Sequence, residues 1–531
     1  MRLNDTADWA IDCTGGLANN IELARVVSSG VIMVVRSGSS RVWVGVLGLA
    51  LCVSLGLGAG CSDDGGSVPV DPPADVTLEG PITEPGMPFV AGTRELDLED
   101  AGFRESEYFV SGTAVSYTNI GSLPEDGRWR VEPAETAEYK TRILVYQPID
   151  SNAFSGTVIL EWLNVSGGLD AAPDWNAIHT EAFREGHVWV GVSAQRVGVE
   201  GSSGGINLGL KIVNPDRYGS LSHPGDSFSY EIFAQVARAV RSPVDLDPLD
   251  GLVAEQVIAM GESQSAGRLL SYVNALATRY EVFDGYLIHS RGGGSPPLSQ
   301  SPQAEINTPE IVHVRDDLDE PTLLFQTETD LISLGALPDR QDDSEMFRQW
   351  EVAGTAHNDT YTLVVSNSDL GDDPSVADVV EIVNPAPGFT CEFPINSGPQ
   401  HWVLKAGLRG LIEWVADGNA LPTSPRLIVN ETADGYQLDA VGNALGGIRT
   451  SYVDAPVAVL SGLGQPGDSF CRIWGTTRLL DPAELAELYP TAASYIDAVT
   501  ESTDAAVDAG FILPADASLI ISAAEASGIG E

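Results

Sequence analysis

The chain of 531 residues is long enough for one large domain with additions or for two domains. Its residues are 43% hydrophobic, which is enough for a packed core. The formal net charge of −47, from 75 acidic and 28 basic side chains, argues against a nucleic-acid or anionic-lipid partner. Both partners are bound through an excess of cationic side chains.

Residues 1–61 have the pattern of an export segment. Residues 42–60 are an uncharged run of 19 residues that follows Arg36 and Arg41 and ends before Cys61. A basic stretch, an apolar stretch and small residues before a cleavage point are typical of a secretory signal. Residues 57–61 resemble a bacterial lipoprotein cleavage site, at which Cys61 would carry a lipid anchor.

Two alternatives concern the same segment. The apolar run is just long enough to span a bilayer, so an uncleaved membrane anchor competes with a cleaved signal. Met33 is an alternative start of the protein. Residues 62–76, rich in Asp, Gly and Pro, predict a flexible linker. We therefore expect a cell-envelope lipoprotein or a periplasmic or extracellular protein.

From about residue 77, strand-like and helix-like segments alternate. The strand-like segments are residues 108–117, 139–147, 156–163, 188–192, 257–260, 283–288, 322–326 and 350–353. The helix-like segments are residues 176–185, 230–241, 268–280, 402–416, 482–489 and 491–509. This alternation predicts an α/β fold with a mostly parallel sheet flanked by helices.

The same pattern predicts two parts. We expect a core at residues 77–415 and an extension at residues 416–531 that packs on it. The last two helix-like segments, divided at Pro490, are expected to bury an apolar stripe against the core, and a lid over the site is the alternative. Catalytic groups belong at the carboxyl ends of parallel strands.

The turn after residues 257–260 carries the strongest chemical signal. Gly261, Ser263 and Gly267 lie between an apolar strand and a helix, in a sequence close to the G-x-S-x-G elbow that exposes a nucleophilic serine. Ser263 is the predicted nucleophile. The alternative frame makes Ser265 the nucleophile and Ser263 the small residue.

A serine hydroxyl needs a base to take its proton and an acid to orient that base. On parallel sheets with such an elbow, the acid and then the histidine follow the serine. Asp330, just after the strand-like residues 322–326, is the predicted acid, and Glu328 is the alternative. His357, after residues 350–353, is the predicted base, and His401 is the alternative.

Acyl transfer also needs donors for a developing oxyanion. The backbone N–H of Gln264, directly after the serine, is one predicted donor. The second is expected from the loop at residues 164–168, with Val165 chosen within it. No Cys or His cluster has metal-ligand spacing, so neither a metal nor a cofactor is expected.

Cys391 and Cys471 are the cysteines that follow Cys61. In an oxidising compartment two cysteines suggest one disulfide, and two separately buried thiols are the alternative.

Seven stretches carry a family resemblance: residues 161–168, 190–195, 217–221, 261–265, 350–357, 442–449 and 471–475. Together they resemble the large bacterial α/β-hydrolase-domain proteins of poorly defined substrate. The resemblance covers most of the chain beyond the export segment. It implies an α/β-hydrolase fold and a serine hydrolase, with esterase activity as the expected reaction.

The expected function is that of an exported serine hydrolase that cleaves small-molecule carboxylic esters through an acyl-enzyme on Ser263. Acyl transfer to an alcohol or amine is one alternative. A non-catalytic surface binding protein that retains the fold is the other, because a fold does not by itself carry chemistry.

Overall fold

The computed structural model describes residues 74–92, 96–203, 206–386, 388–467 and 469–531. The predicted export segment, with Cys61 and Met33, and the predicted linker up to residue 73 lie outside the described residues. Both therefore stay predictions.

A nine-stranded sheet, in the order β1-β2-β3-β5-β4-β6-β7-β8-β9, forms the centre of the described chain. Its strands are β1 Thr77–Glu79, β2 Phe103–Asn119, β3 Val131–Pro148, β4 Thr157–Trp162, β5 Val188–Val192, β6 Gln256–Glu262, β7 Gly285–His289, β8 Thr322–Thr327 and β9 Phe347–Val352. The run from β5 through β4 to β9 is parallel, whereas β1, β2, β3 and β5 pair antiparallel. The predicted mostly parallel sheet is confirmed.

Helices separate most of the parallel strands. They are α1 Pro173–Glu185, α2 Arg196–Glu200, α3 Leu210–Val213, α4 Pro215–Tyr218, α5 Ser229–Arg241, α6 Gln264–Tyr280, α7 Glu328–Ile332, α8 Gln400–Asp417, α9 Ser451–Asp454, α10 Pro482–Leu488, α11 Ala492–Asp508 and α12 Pro514–Ala526. The predicted helix at residues 176–185 begins earlier, at Pro173, because a proline fits the first helical turn, where its missing N–H costs nothing. None of the helices in the described ranges is long and apolar enough to cross a membrane.

Strand β6 shows why the sheet needs helices on both faces. Val257 and Ala259 belong to the apolar cluster shared with α5 and α6, whereas Ile258 and Met260 belong to the cluster shared with α1 and α8. Successive side chains of a strand point to opposite faces, and all four are fully buried. A strand that is apolar at every position is therefore stable only between two layers.

The antiparallel part is larger than the sequence predicted. β2 and β3 extend well beyond the predicted residues 108–117 and 139–147 and pair along nearly their whole length. The first half of β3 is mostly exposed, so its polar residues form a ribbon in solvent. Hydrophobic patterning does not detect this half of β3, because most of its side chains are exposed.

Residues beyond 416 pack on the same layer as α8. Apolar side chains of α11 and α12, among them Tyr495, Val499 and Ile520, join the cluster that contains Trp402 of α8. A small antiparallel sheet, β10 Ala458–Ser461 with β11 Thr476–Leu479, lies between α9 and α10 in the chain. The sequence predicted α10 and α11 but not α12. The boundary between core and extension at residues 415 and 416 stays a prediction.

A disulfide joins Cys391 and Cys471, whose Cα atoms are 5.6 Å apart. The predicted pairing is confirmed. The bond lies in a small apolar cluster with Ile395 and Trp474 and links two segments that are 80 residues apart in sequence.

Candidate active site

Ser263 lies on a sharp turn between β6 and α6. Its backbone has φ 60° and ψ −118°, a conformation that residues with a side chain rarely adopt. The carbonyl of His289, at the end of β7, accepts a hydrogen bond of 2.9 Å from the Ser263 N–H. The strained turn is thus held by the neighbouring strand and leaves the side chain half-buried at the carboxyl edge of the sheet.

Close packing around Ser263 favours small residues on both sides of the turn. A Cβ atom at Gly261 would lie 3.1 Å from the carbonyl carbon of Ser265, and one at Gly267 would lie 2.8 Å from Pro296. Ser265 is fully buried, and its hydroxyl donates to the Glu262 carbonyl at 3.0 Å. In this structure Ser265 therefore fills the small position of the turn.

His357 joins Ser263 to Asp330. The His357 Nε2 atom is 2.7 Å from Ser263 Oγ, and Nδ1 is 2.6 Å from Asp330 Oδ1. The other oxygen of Asp330 accepts from the Thr327 N–H at 2.7 Å, which fixes the carboxylate at the start of α7. A carboxylate can only accept, so Nδ1 carries the proton and Nε2 is free to accept the serine hydroxyl proton.

The structure brings neither alternative into this chain of hydrogen bonds. Glu328 turns its carboxylate toward the N–H groups of Gly354 and Gly462, at 2.6 and 2.9 Å. The His401 ring is stacked on Tyr361 with ring centroids 3.5 Å apart. Neither ring nitrogen of His401 has a hydrogen-bond partner among the described residues.

Of the two predicted oxyanion donors, Gln264 directly follows Ser263, and Val165 lies in a loop that borders the cleft. Gln264 is the first residue of α6, where an N–H has no helical acceptor and the helix dipole is positive. Val165 lies between Asn164 and Ser166, which line the same cleft as Ser263. In the described ranges the N–H groups of Gln264 and Val165 have no protein acceptor, so both can donate to a bound group.

Glu262 is a member of the site to which the sequence reasoning gave no role. Its Oε1 atom is 3.2 Å from His357 Nε2, and its Oε2 atom accepts from the Asn164 side chain at 3.1 Å. The side chain is almost fully buried and lines the cleft. A glutamate that ends an otherwise apolar strand directly before the nucleophile was the available signal.

The two neighbouring carboxylates control the protonation of His357. Burial alone lowers its pKa, but Glu262 and Asp330 outweigh burial and raise the pKa above 6.5. Burial also raises the pKa of Glu262 to about 7, against the opposing effect of His357. Each group thus shifts the pKa of the other: Glu262 raises that of His357, and His357 lowers that of Glu262.

A second histidine supports the turn from behind. His289 Nδ1 is 2.8 Å from Asp174 Oδ1, and the Gln400 amide lies 2.9 Å from His289 Nε2. Burial lowers the pKa of His289 to about 4, so the ring is neutral at pH 7. With both nitrogens occupied, His289 is a fixed part of the scaffold that holds the Ser263 N–H.

A cleft of about 500 Å³ opens onto Ser263 and His357. Its lining includes Leu169 and Pro173, from the loop after β4 and the start of α1. It also includes Leu363, Phe389 and Trp474, which come from the chain after β9. No group of three or more His, Cys, Asp or Glu side chains in the described part of the chain is arranged to hold a metal ion.

Two solved structures are similar to part of the chain. One is XC6422 from Xanthomonas campestris, described as an a/b serine hydrolase without lid, with 13% identity, TM-score 0.25, and coverage of 46% of this chain and 86% of that one. The other is a putative dienelactone hydrolase from Klebsiella pneumoniae subsp. pneumoniae MGH 78578, with 11% identity, TM-score 0.24, and coverage of 45% and 85%. Both TM-scores are too low to bear on function.

The search of curated proteins found no match. A family model described as alpha/beta hydrolase domain matches residues 72–522, which is most of the chain and includes every site residue above. The serine turn after β6 and the chain order of Ser263, Asp330 and His357 are those of an α/β-hydrolase. The chain therefore belongs to the alpha/beta hydrolase domain family.

Proposed function

We propose that this protein is a serine hydrolase that cleaves carboxylic esters through an acyl-enzyme on Ser263. The observation that carries the proposal is the continuous hydrogen-bonded chain from Ser263 through His357 to Asp330. A serine held next to a neutral imidazole, with the imidazole oriented by a carboxylate, is activated as a nucleophile.

The reaction has two halves. In the first, His357 Nε2 takes the Ser263 proton while Oγ bonds to the ester carbonyl carbon, and the oxyanion is stabilised by the N–H groups of Gln264 and Val165. His357 then gives the proton to the leaving alkoxide, which departs as the alcohol. In the second half a water molecule attacks the acyl-enzyme by the same route and releases the acid and the free serine.

Two alternatives remain for the same site. Acyl transfer replaces the water with an alcohol or amine in the second half-reaction. A non-catalytic surface binding protein would bind a ligand in the cleft without reacting with it. The hydrogen bonds that join Ser263, His357 and Asp330 disfavour this alternative.

An ester panel with product analysis tests the proposal. We expect wild-type protein to release free acid and alcohol from simple uncharged esters, and Ser263→Ala to release neither while keeping its melting temperature. A product in which the acyl group is transferred to an added alcohol, with no free acid, would favour the acyltransferase. No turnover of any ester by folded protein would favour the binding protein.

We also propose that the protein is exported, with a lipid anchor on Cys61 after cleavage. The disulfide between Cys391 and Cys471 supports this, because disulfides persist in oxidising compartments. The amino terminus of the mature protein is the measurement. A lipidated terminus at Cys61 is expected, and a cytosolic protein that retains residues 1–60 would contradict the proposal.

A further inference from the structure

Three aromatic rings form one wall of the cleft. We call Phe389, Phe470 and Trp474 the aromatic wall. The ring centroids of Phe389 and Trp474 are 5.3 Å apart, those of Phe389 and Phe470 are 6.0 Å apart, and Phe470 and Trp474 are stacked at 6.4 Å. All three line the same cleft as Ser263 and His357.

The aromatic wall comes from two separate segments that the disulfide joins. Phe389 lies two residues before Cys391, and Phe470 lies directly before Cys471. The Trp474 carbonyl accepts from the Asn396 N–H at 2.8 Å, which ties the two segments a second time. Both cysteines are buried, so the disulfide is an internal clamp behind the wall.

The aromatic wall leaves apolar surface uncovered at the cleft. Phe470 is 39% exposed and Phe389 is half-buried, whereas Trp474 is 5% exposed. Water at such a surface is released when an apolar group covers it, which is favourable in proportion to the buried area. The uncovered rings therefore offer binding energy to an apolar part of a ligand that also reaches Ser263.

The charges around the cleft select against anions. Among the described residues that line it, Glu262 and His357 are the ionisable ones, and no lysine or arginine lines it. A carboxylate on a bound molecule would therefore find no lysine or arginine partner and would meet the Glu262 carboxyl group. Desolvating such a charge without a partner is costly.

We propose that the substrates are uncharged esters with a bulky apolar group, preferably an aromatic ring, and that the disulfide-clamped aromatic wall binds this group. The inference rests on the proposed ester hydrolysis at Ser263. The apolar group adds binding energy through contact with Phe389, Phe470 and Trp474, and the Cys391–Cys471 bond keeps the two halves of the wall together.

The test compares matched esters. Ethyl acetate is the reference, ethyl phenylacetate adds a ring on the acyl side, and benzyl acetate adds it on the alcohol side. Burying one phenyl ring is expected to raise kcat/KM by about 10- to 100-fold for whichever side faces the wall. The 4-carboxylated analogue of the better ester is expected to be at least about tenfold slower than its parent.

Substitutions in the aromatic wall test whether it causes the higher kcat/KM of the aromatic ester. Phe470→Ala, Phe389→Ala and Trp474→Ala should each reduce the ratio of aromatic to reference kcat/KM severalfold. Phe470 is partly exposed, so its variant is the one expected to fold without loss. Phe393→Ala is the matched control: Phe393 is 45% exposed on the same segment but does not line the cleft, so the ratio should not change.

The disulfide is tested by the double variant Cys391→Ser with Cys471→Ser, checked for folding by circular dichroism. In this double variant the ratio of aromatic to reference kcat/KM should fall, mainly because the KM for the aromatic ester rises. A preference that survives in all wall variants and in the double variant, or a carboxylated ester that is turned over as fast as its parent, would overturn the inference. Those results would leave ester hydrolysis intact, whereas no turnover of ethyl acetate or either aromatic ester would refute the proposed function itself.

Discussion

The carboxylate of Glu262 lies beside the same His357 nitrogen that faces Ser263. His357 must be neutral to accept the serine proton, so activity should fall as pH drops through its raised pKa. Glu262 is one cause of that raised pKa. The residue before the nucleophile therefore tunes the pH range in which the base works.

We expect Glu262→Gln to move the acidic limb of the kcat/KM profile to lower pH, because the substitution removes a carboxylate that raises the His357 pKa. The measurement is the pH dependence of ester hydrolysis between pH 5 and 9. Glu255→Gln is the control, since Glu255 is exposed at the opposite end of β6. An acidic limb that stays in place in Glu262→Gln would show that the two groups are not coupled.

Asp330 and Glu328 lie two residues apart, and we expect Asp330 to act in catalysis and Glu328 to stabilise the fold. Asp330→Asn should reduce kcat by about 10⁴-fold with the fold retained, because an amide favours the wrong histidine tautomer. Glu328→Ala should instead destabilise the fold by roughly 2–4 kcal/mol, because it leaves the N–H groups of Gly354 and Gly462 without acceptors. Steady-state kinetics and chemical denaturation separate the two effects.

The loss of stability in Glu328→Ala should be larger at pH 5 than at pH 8. Burial raises the pKa of Glu328 to about 7, so the folded state favours the protonated form. Its contribution to stability is complete below the unfolded value of 4.5 and declines as pH rises toward 7. A large loss of turnover with unchanged stability would instead make Glu328 the acid.

His401, the alternative candidate for the base, lies at the start of α8. His401 stacks on Tyr361, and burial lowers its pKa well below 6.5, so the ring behaves as a neutral aromatic group. Its role in this structure is packing between α8 and the π-helical turn Tyr361–Val365.

His401→Phe should keep this stacking, and with it stability and activity, while it removes two buried nitrogens without partners. His401→Ala should lower the free energy of unfolding by about 3 kcal/mol, as for other buried rings, and leave kcat within about tenfold. His357→Ala should remove nearly all turnover. Denaturant titration with ester kinetics tests all three, and abolished turnover in folded His401→Phe would show that the base was misplaced.

The sequence predicts those elements whose signal is local. Strand β6 is an apolar run that ends in a turn of small residues. The strand, the turn and the helix after it can therefore all be predicted from the sequence. The order of Ser263, Asp330 and His357 follows from the order of the strands.

Other features depend on distant parts of the chain. The choice between Asp330 and Glu328 is decided by which way each side chain leaves the first turn of α7, and periodicity does not encode this. The Glu262–His357 contact joins residues on β6 and after β9. Helix α12 is rich in small residues and lacks a clear apolar stripe, so its pattern resembles no amphipathic helix.

At the scale of the whole molecule, the disulfide connects the region after β9 to the region after β10. Cross-linking across 80 residues restricts the unfolded chain and is expected to add about 4 kcal/mol to the free energy of unfolding. The double variant Cys391→Ser with Cys471→Ser should therefore melt several degrees below wild type. Equal melting temperatures of variant and oxidised wild type would show that the bond contributes nothing to stability.

Labelling with a fluorophosphonate, followed by mass spectrometry of the adduct, tests whether Ser263 is an activated nucleophile. We expect the adduct on Ser263 in wild type and in Ser265→Ala, and no labelling in folded Ser263→Ala, because Ser263 is the serine that contacts His357. An adduct on Ser265, or no labelled serine in well-folded wild-type protein, would show that Ser263 is not an activated nucleophile.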